Sequence, residues 1–378
     1  MIEIRQGSLI SKLLYILTIT GEFPVHSISL LGSYQSQRRL INKATSPCEY
    51  LNVTTQERYS TTLLTIVGKG RQKSLRFLSG AEKILEWLGL LEVFKFLHGV
   101  VHYRGDIAHI DRTHRVAEGY VMAYMAGLEI NPLSLPKLQQ EEPLNHFKGK
   151  RCFYGSKLLK RFEKIEMNKT AYTRMVGAVF ANDKAYAVYN TRHRVMKWSG
   201  EGERKARVNL EEISAMNARV YRINSAFLFG KNVKVALNTL EKTQNTRQMQ
   251  YCFDGIYSHI YFVPLDNNGL RQMRLLLMEN WREELLSSLF EDEIRSYDEG
   301  GFEYDALVGN KFILAFFDGD IARLQRFYNG AQLTEGEYEV LCFPFQVEIV
   351  KGYLGDLAKI KTIDLEVIED AMGIGGED

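Results

Sequence analysis

The sequence predicts an α+β protein: a small N-terminal domain of helices closed by a β-hairpin, then a larger mixed α/β domain. Three observations carry this expectation. Segment 8–78 holds three short helical patterns followed by β-prone runs around a glycine-bounded basic tip. Residues 132–143 carry three of the seven prolines, the composition of a linker. Beyond them, β-prone runs alternate with amphipathic helical patterns. The predicted divisions are a domain over 1–131 that includes packing helices, a linker over 132–147, a second domain over 148–365 and an acidic tail over 366–378.

The first helix is expected over 8–19, with Ser8 as N-cap and Leu9, Leu13, Ile16 and Leu17 on one face. Ser11 and Lys12 interrupt its apolar run and no small-residue cleavage site follows, so it reads as an amphipathic helix rather than a signal peptide. Gly21 ends it. Pro24 opens a second helix over 25–31, and Ser33 caps a third over 34–45, which Pro47 stops. Short β-prone runs follow at 50–54, 62–67 and 74–78. The last two flank Gly68, Lys69, Gly70, Arg71 and Lys73, a basic hairpin tip. Ser79 caps a further helix over 81–88. Another opens at His114 and Arg115 and ends at Gly127.

Three helices and a basic hairpin in this order are the elements of a winged helix-turn-helix. In that arrangement the third helix enters the major groove and offers polar side chains to base edges, while the hairpin holds phosphates. The DNA-contact residues expected on the third helix are Tyr34, Gln35, Gln37, Arg38, Arg39 and Lys43. Those expected on the hairpin are Lys69, Arg71, Lys73 and Arg76.

In the second domain a hairpin is expected over 175–190 around Asn182 and Asp183. Strands are expected at 226–230 and 256–264, with helices at 232–240 and, as one long element, 267–290. Paired strands at 306–308 and 311–317, a helix at 320–327 and a strand region at 338–350 complete the reading. Lys157, Lys160 and Arg161 lie at helical spacing, and Arg192, Arg194 and Lys197 follow the hairpin beside Tyr189 and Trp198. Cations interleaved with aromatics suit phosphate binding with base stacking, while the same rings suit a core equally well.

Charge is segregated. Residues 1–78 hold 10 basic and 4 acidic side chains, residues 148–234 hold 20 and 7, and residues 266–378 hold 10 and 24. A basic front and middle point to a polyanion, and the acidic rear to a different surface. Four scattered cysteines without a CxxC pair argue against a disulfide framework or a cysteine zinc site and fit a reducing cytosol. A metal nuclease needs a strand Asp followed by Glu-x-Lys. The nearest match, Asp183 with Glu203 and Lys205, falls in a turn and a polar loop. His98 and His102 have metal-ligand spacing, but Gly99 and the missing third ligand argue for structural histidines. Asp318 and Asp320 read as a helix cap. No nucleophile elbow, phosphate loop or dinucleotide fingerprint is present. No catalytic residue, metal or cofactor is therefore expected.

Several stretches resemble the replication-relaxation family of Gram-positive plasmids and integrative elements: residues 73–82, His114 through Gly127, Thr173 through Gly177, Ala185 through Asn190, and Lys197 with Trp198. The likeness covers about residues 1–200; the acidic part departs from the family pattern. The resemblance implies a winged-helix protein that binds double-stranded DNA near a replication or transfer origin. The reading is a non-catalytic, cytoplasmic accessory protein of a mobile element. Its acidic C-terminal region would contact a replication or transfer protein or a second copy in a homodimer, with no membrane partner. The rival readings are a transcriptional regulator, a nuclease, and a protein-directed inhibitor or adaptor.

Overall fold

A computed structural model describes residues 1–99, 107–132, 151–160, 173–218, 220, 222–244, 246–253, 255–296 and 302–374. The chain is mixed α+β, in two units, residues 1–148 and 149–378.

The first unit opens with β1 (Ile2–Ile4) and α1 (Leu9–Thr20). The Ser8 hydroxyl caps α1 by accepting from the Ser11 N–H, and Gly21, at φ 71°, ends it by donating to the Leu17 carbonyl. The predicted single apolar face is too narrow: Ile10, Leu13, Leu14, Ile16, Leu17 and Ile19 are all buried, because later helices cover α1. After β2 (Phe23–Pro24), the predicted second helix is a 3-10 helix, Val25–Leu31, and α2 spans Tyr34–Ala44. Only Gln37, Ile41 and Ala44 of α2 are buried, a stripe at i, i+4 and i+7 that leaves most of the helix in solvent.

Two hairpins follow. β3 (Cys48–Asn52) and β4 (Arg58–Thr61) pair antiparallel, with β1 parallel to β3; β1 and β4 have no counterpart in the sequence reading. β5 (Leu64–Val67) and β6 (Ser74–Phe77) form the predicted basic hairpin, and β2 pairs antiparallel with β6. Then come α3 (Glu82–Trp87), α4 (Leu91–His98), α5 (Ile107–Met125) and the two-residue β7 (Glu129–Ile130). Helices α4 and α5 both pack on α1.

The second unit begins with β8 (Cys152–Gly155), the one-turn α6 (Ser156–Leu159), β9 (Met175–Ala181) and β10 (Lys184–Arg192). Asn182 and Asp183 adopt left-handed conformations, each at φ 54°, as the predicted tight hairpin requires. Next are α7 (Glu201–Ala218), β11 (Ser225–Gly230), α8 (Lys234–Thr243), β12 (His259–Pro264), α9 (Asn267–Leu276) and α10 (Trp281–Leu289). The strands of this unit's first sheet run β12-β11-β10-β9-β8, with β10, β11 and β12 mutually parallel. Every residue of β9 and β11 is buried, so these strands read as continuous apolar runs rather than alternating ones.

The chain continues through β13 (Ala306–Val308), β14 (Lys311–Ala315), α11 (Ile321–Ala331), β15 (Glu337–Cys342), α12 (Val347–Leu354), β16 (Lys359–Thr362) and α13 (Leu365–Ala371). The order in the second sheet is β13-β14-β15-β16, with the last three parallel. The sheets meet where Tyr261 bridges to Asp320 and the Phe262 N–H donates to the Gly319 carbonyl at 2.9 Å. Gly319, at φ 67°, has the Phe262 carbonyl oxygen 2.7 Å from where a Cβ would stand, so a side chain would push the sheets apart. Glu339 on β15 is buried between lysines of both neighbouring strands, 2.9 Å from Lys361 Nζ on β16 and 3.9 Å from Lys311 Nζ on β14.

Three expectations are corrected. The long helix over 267–290 is two helices, broken where Asn280 turns left-handed at φ 53°. The strand region over 338–350 ends at Cys342. Pro344 then opens a helical turn in which the Gln346 side chain accepts from the Phe343 N–H at 2.9 Å. The expected tail over 366–378 begins inside α13, and its Ile368 joins a core with Leu365, Phe317 and Phe343. Arg271 Nε binds both Glu369 oxygens, at 2.9 and 3.1 Å, and fastens α13 to α9. Most of the expected linker, 133–147, lies outside the described residues.

Candidate functional site

Helix α2 presents Tyr34, Gln35, Arg38, Arg39 and Lys43 to solvent. Gln37 does not join them. It is fully buried, and its Nε2 donates to the Leu31 carbonyl at 3.2 Å, tying α2 to the preceding 3-10 helix. Lys69, Arg71 and Lys73 are exposed around the β5–β6 tip. Gly68 there is at φ 84°, with the Gln72 carbonyl oxygen 2.5 Å from where a Cβ would stand. Arg76 is a second correction. It is half-buried, and its guanidinium donates to Glu22 Oε2 from Nε and Nη2 at 3.1 and 2.8 Å.

Behind the hairpin lies a polar cluster that the sequence reading missed. Ser74 Oγ is 2.6 Å from His114 Nε2, and Glu22 Oε1 is 3.5 Å from the same nitrogen. Glu118 on α5 accepts from Ser27 and lies 3.5 Å from His26 Nε2. Burial raises the affinity of Glu22 for a proton, but contacts with His114, Ser74 and Arg76 outweigh it and hold the carboxyl below its ordinary range. Serine, histidine and glutamate here do not make a nucleophilic triad. That chemistry needs the acid on one ring nitrogen and the hydroxyl on the other, whereas both contacts fall on Nε2 and Ser74 is buried. The cluster pins α5 to β6 and the 3-10 helix.

Of the two histidines at metal-ligand spacing, one lies among the described residues. His98 Nε2 bonds the Thr18 carbonyl at 2.9 Å, and His102 lies outside the described residues. Among the described residues no group of three or more His, Cys, Asp or Glu side chains is placed to hold a metal ion. The four cysteines are free thiols. No helix among the described residues is long and apolar enough to cross a membrane.

In the basic middle, Lys157, Lys160 and Arg194 are exposed, Arg192 and Lys197 are half-buried, and Arg161 lies outside the described residues. Lys197 Nζ sits 5.8 Å above the Tyr251 ring. The neighbouring aromatics belong to the core. Tyr189 and Trp198 are buried, and the Tyr189 and Tyr257 hydroxyls are 2.8 Å apart, so neither ring is available to stack on a base. The nuclease pattern also dissolves. Glu203 stands in the first turn of α7, not in a loop, and accepts from the Thr173 hydroxyl at 2.6 Å and the Arg174 N–H at 2.7 Å. Lys205 pairs with Glu201 at 2.8 Å.

The densest electrostatic feature is a buried network around Arg323, only 2% exposed. Its guanidinium donates from Nε to Glu303, from Nη2 to Asp305 at 2.7 Å and from Nη1 to Asp318 at 3.0 Å. Arg282 reaches Asp305 at 3.1 Å, and Arg326 Nε reaches Glu303 at 2.6 Å. Asp320 caps α11, as the sequence predicts, by accepting from the Ala322 N–H at 3.0 Å. Its other oxygen accepts from His259 Nδ1 at 2.7 Å. Burial raises all three aspartates. For Asp305 the charges of Arg323 and Arg282 win and hold it below the ordinary carboxylate range. For Asp320 the His259 bond does the same. For Asp318 burial wins and the carboxyl is pushed up. Asp318 and Asp320 were visible as a helix cap, and Asp305 directly precedes the expected strand at 306–308. Arg323 and Glu303 were not visible, because the partners converge across 18 and 20 residues.

Comparison with protein-family models, curated proteins and solved structures finds no match.

Proposed function

We propose that the chain is a non-catalytic, double-stranded DNA-binding protein whose N-terminal unit works as a winged helix-turn-helix. One observation carries the reading: an exposed helix face bearing Arg38, Arg39 and Lys43 occurs in the same unit as a hairpin tip bearing Lys69, Arg71 and Lys73. The pairing of β2 with β6 supports it, because it ties the chain entering the 3-10 helix and α2 to the hairpin. In this reading α2 lies in the major groove and the hairpin grips phosphates. The resemblance to the replication-relaxation family favours a duplex at a replication or transfer origin, with the acidic region facing a protein partner.

The test is fluorescence anisotropy of the intact chain with duplex DNA at 50 and 200 mM salt. Phosphate contacts release counterions, so affinity is expected to fall by orders of magnitude between the two conditions. Replacing Lys69, Arg71 and Lys73 together with Glu should abolish binding at the higher salt. Absence of binding at low salt, or binding that ignores salt, contradicts the proposal.

A further inference from the structure

We propose that the second unit carries a separate binding site for a phosphate monoester, in the cleft where His259 and Arg222 meet. The cleft has a volume of about 550 Å³, within the range of small-ligand sites. It lies beside the starts of β11 and β12, against the flank of α11. Three guanidiniums, from Arg222, Arg282 and Arg326, and the imidazole of His259 line it. The one carboxylate among the described lining residues is Glu303, and that group is already taken by Arg323 and Arg326.

The site is built from behind. Asp320 is fully buried, and its Oδ1 is fixed by the Ile260 N–H at 2.9 Å and the Ala322 N–H at 3.0 Å. Its Oδ2 orients the His259 ring through Nδ1. A carboxylate only accepts, so Nδ1 carries a proton, and Nε2 donates to a phosphate oxygen in the imidazolium form, in which both ring nitrogens carry protons. The ring is held flat against Tyr261, centroids 6.1 Å apart and planes within 6°. Arg326 is steadied by its Nη1 bond to the Ser258 carbonyl at 2.8 Å. Arg222 is exposed and meets no carboxylate among the described residues.

Charge selects the ligand. The network and the cleft wall together hold four arginines (222, 282, 323 and 326) and four carboxylates (Glu303, Asp305, Asp318 and Asp320). The described lining of the cleft itself sets three arginines (222, 282 and 326) against one carboxylate, Glu303, so the wall that opens to solvent is net positive. A tetrahedral dianion offers several acceptor oxygens to planar guanidiniums and an imidazole at once, and the cleft is roomier than bare phosphate needs. The monoester can be a free nucleotide or the 5′ end of a nucleic acid strand. This site shares no residue with the N-terminal surface proposed above.

The experiment is calorimetry on the intact chain, with histidine NMR in parallel. The probes are inorganic phosphate, adenosine 5′-monophosphate, adenosine, and a short oligonucleotide with and without a 5′-phosphate. The expected result is saturable binding of the monoester, none of adenosine, and movement of the His259 ring resonances. A nucleotide source favours the monophosphate; a strand end favours the phosphorylated oligonucleotide over its unphosphorylated twin. Arg222→Ala should weaken binding about tenfold, the scale of one charge-assisted hydrogen bond. His259→Gln should do likewise while keeping a donor against Asp320. Thermal melting of both variants should stay near that of the parent, since Arg222 is exposed and the network behind His259 is retained. No saturable binding at millimolar monoester, or an affinity in both variants equal to that of the parent, overturns the proposal. Loss of duplex binding in the hairpin variant leaves this result untouched, so the two proposals fail separately.

Discussion

A guanidinium taken out of water is tolerated only when anions surround it, and Arg323 has three. Arg323→Met should therefore cost about 3–5 kcal/mol, because it strands buried carboxylates; urea unfolding measures it, and a loss below about 1 kcal/mol would show that the network relaxes or admits water. The acids are not equivalent. Asp305→Asn should destabilise more than Asp318→Asn, since Asp305 answers two arginines while burial already disfavours the charge on Asp318. Their pH signs oppose. Asp305, held below its ordinary range, contributes stability above about pH 4 that is lost as pH falls through its folded value. Asp318, held above its ordinary range, contributes at low pH and loses that contribution as pH rises through its folded value. Asp318→Asn should therefore steepen the loss of stability on acidification. Unchanged acid unfolding curves would contradict this assignment. None of it was legible in the sequence: acids beside β-prone runs are visible there, but the arginine they converge on is an ordinary helix residue until the chain folds.

At the scale of elements, caps and turns were the readable parts. Ser8 and Gly21 bounded α1, and Asn182 with Asp183 marked the β9–β10 turn, because each signals through its own backbone preference; Ser33 precedes α2 as expected but its side chain makes no cap bond. The break at Asn280 was hidden inside a pattern that stays amphipathic on both sides. Gln37 was misassigned because polarity alone does not say which side of α2 it faces. For DNA, Arg38→Ala should relax base preference at one position by about 1–3 kcal/mol. Replacing Lys69, Arg71 and Lys73 with Ala should weaken all duplexes alike. A selection experiment over randomised duplexes separates the two; equal loss on every sequence for Arg38→Ala would remove α2 from the major groove. Gly68→Ala should cost about 1 kcal/mol or more, because its φ and the nearby Gln72 carbonyl both oppose a side chain. A hairpin that melts no earlier in this variant would contradict that strain.

On the scale of the whole chain, the first unit reaches further than α2 and the β5–β6 hairpin. Helices α4 and α5 cover α1, so a fragment ending at residue 90 should expose Leu13, Leu14 and Leu17 and lack a cooperative melt, while 1–148 keeps one. A sharp transition in the shorter piece would show that the covering helices are dispensable. The non-catalytic reading predicts that the purified chain with Mg²⁺ or Mn²⁺ leaves supercoiled plasmid intact; nicking that disappears in Asp305→Ala would make the acidic half catalytic. The second sheet carries one more consequence. It ends at β16, which exposes Lys359 and Lys361 on one face of the strand, and Lys361 also closes the ion pair over Glu339. Charges on an open edge make it a poor template for a strand from another molecule. Val at both positions would complete a run of high β-propensity and strip Glu339 of a partner. Such a variant should form thioflavin-positive fibrils at concentrations where the parent remains clear, and its solubility should mark how much colloidal protection two lysines provide.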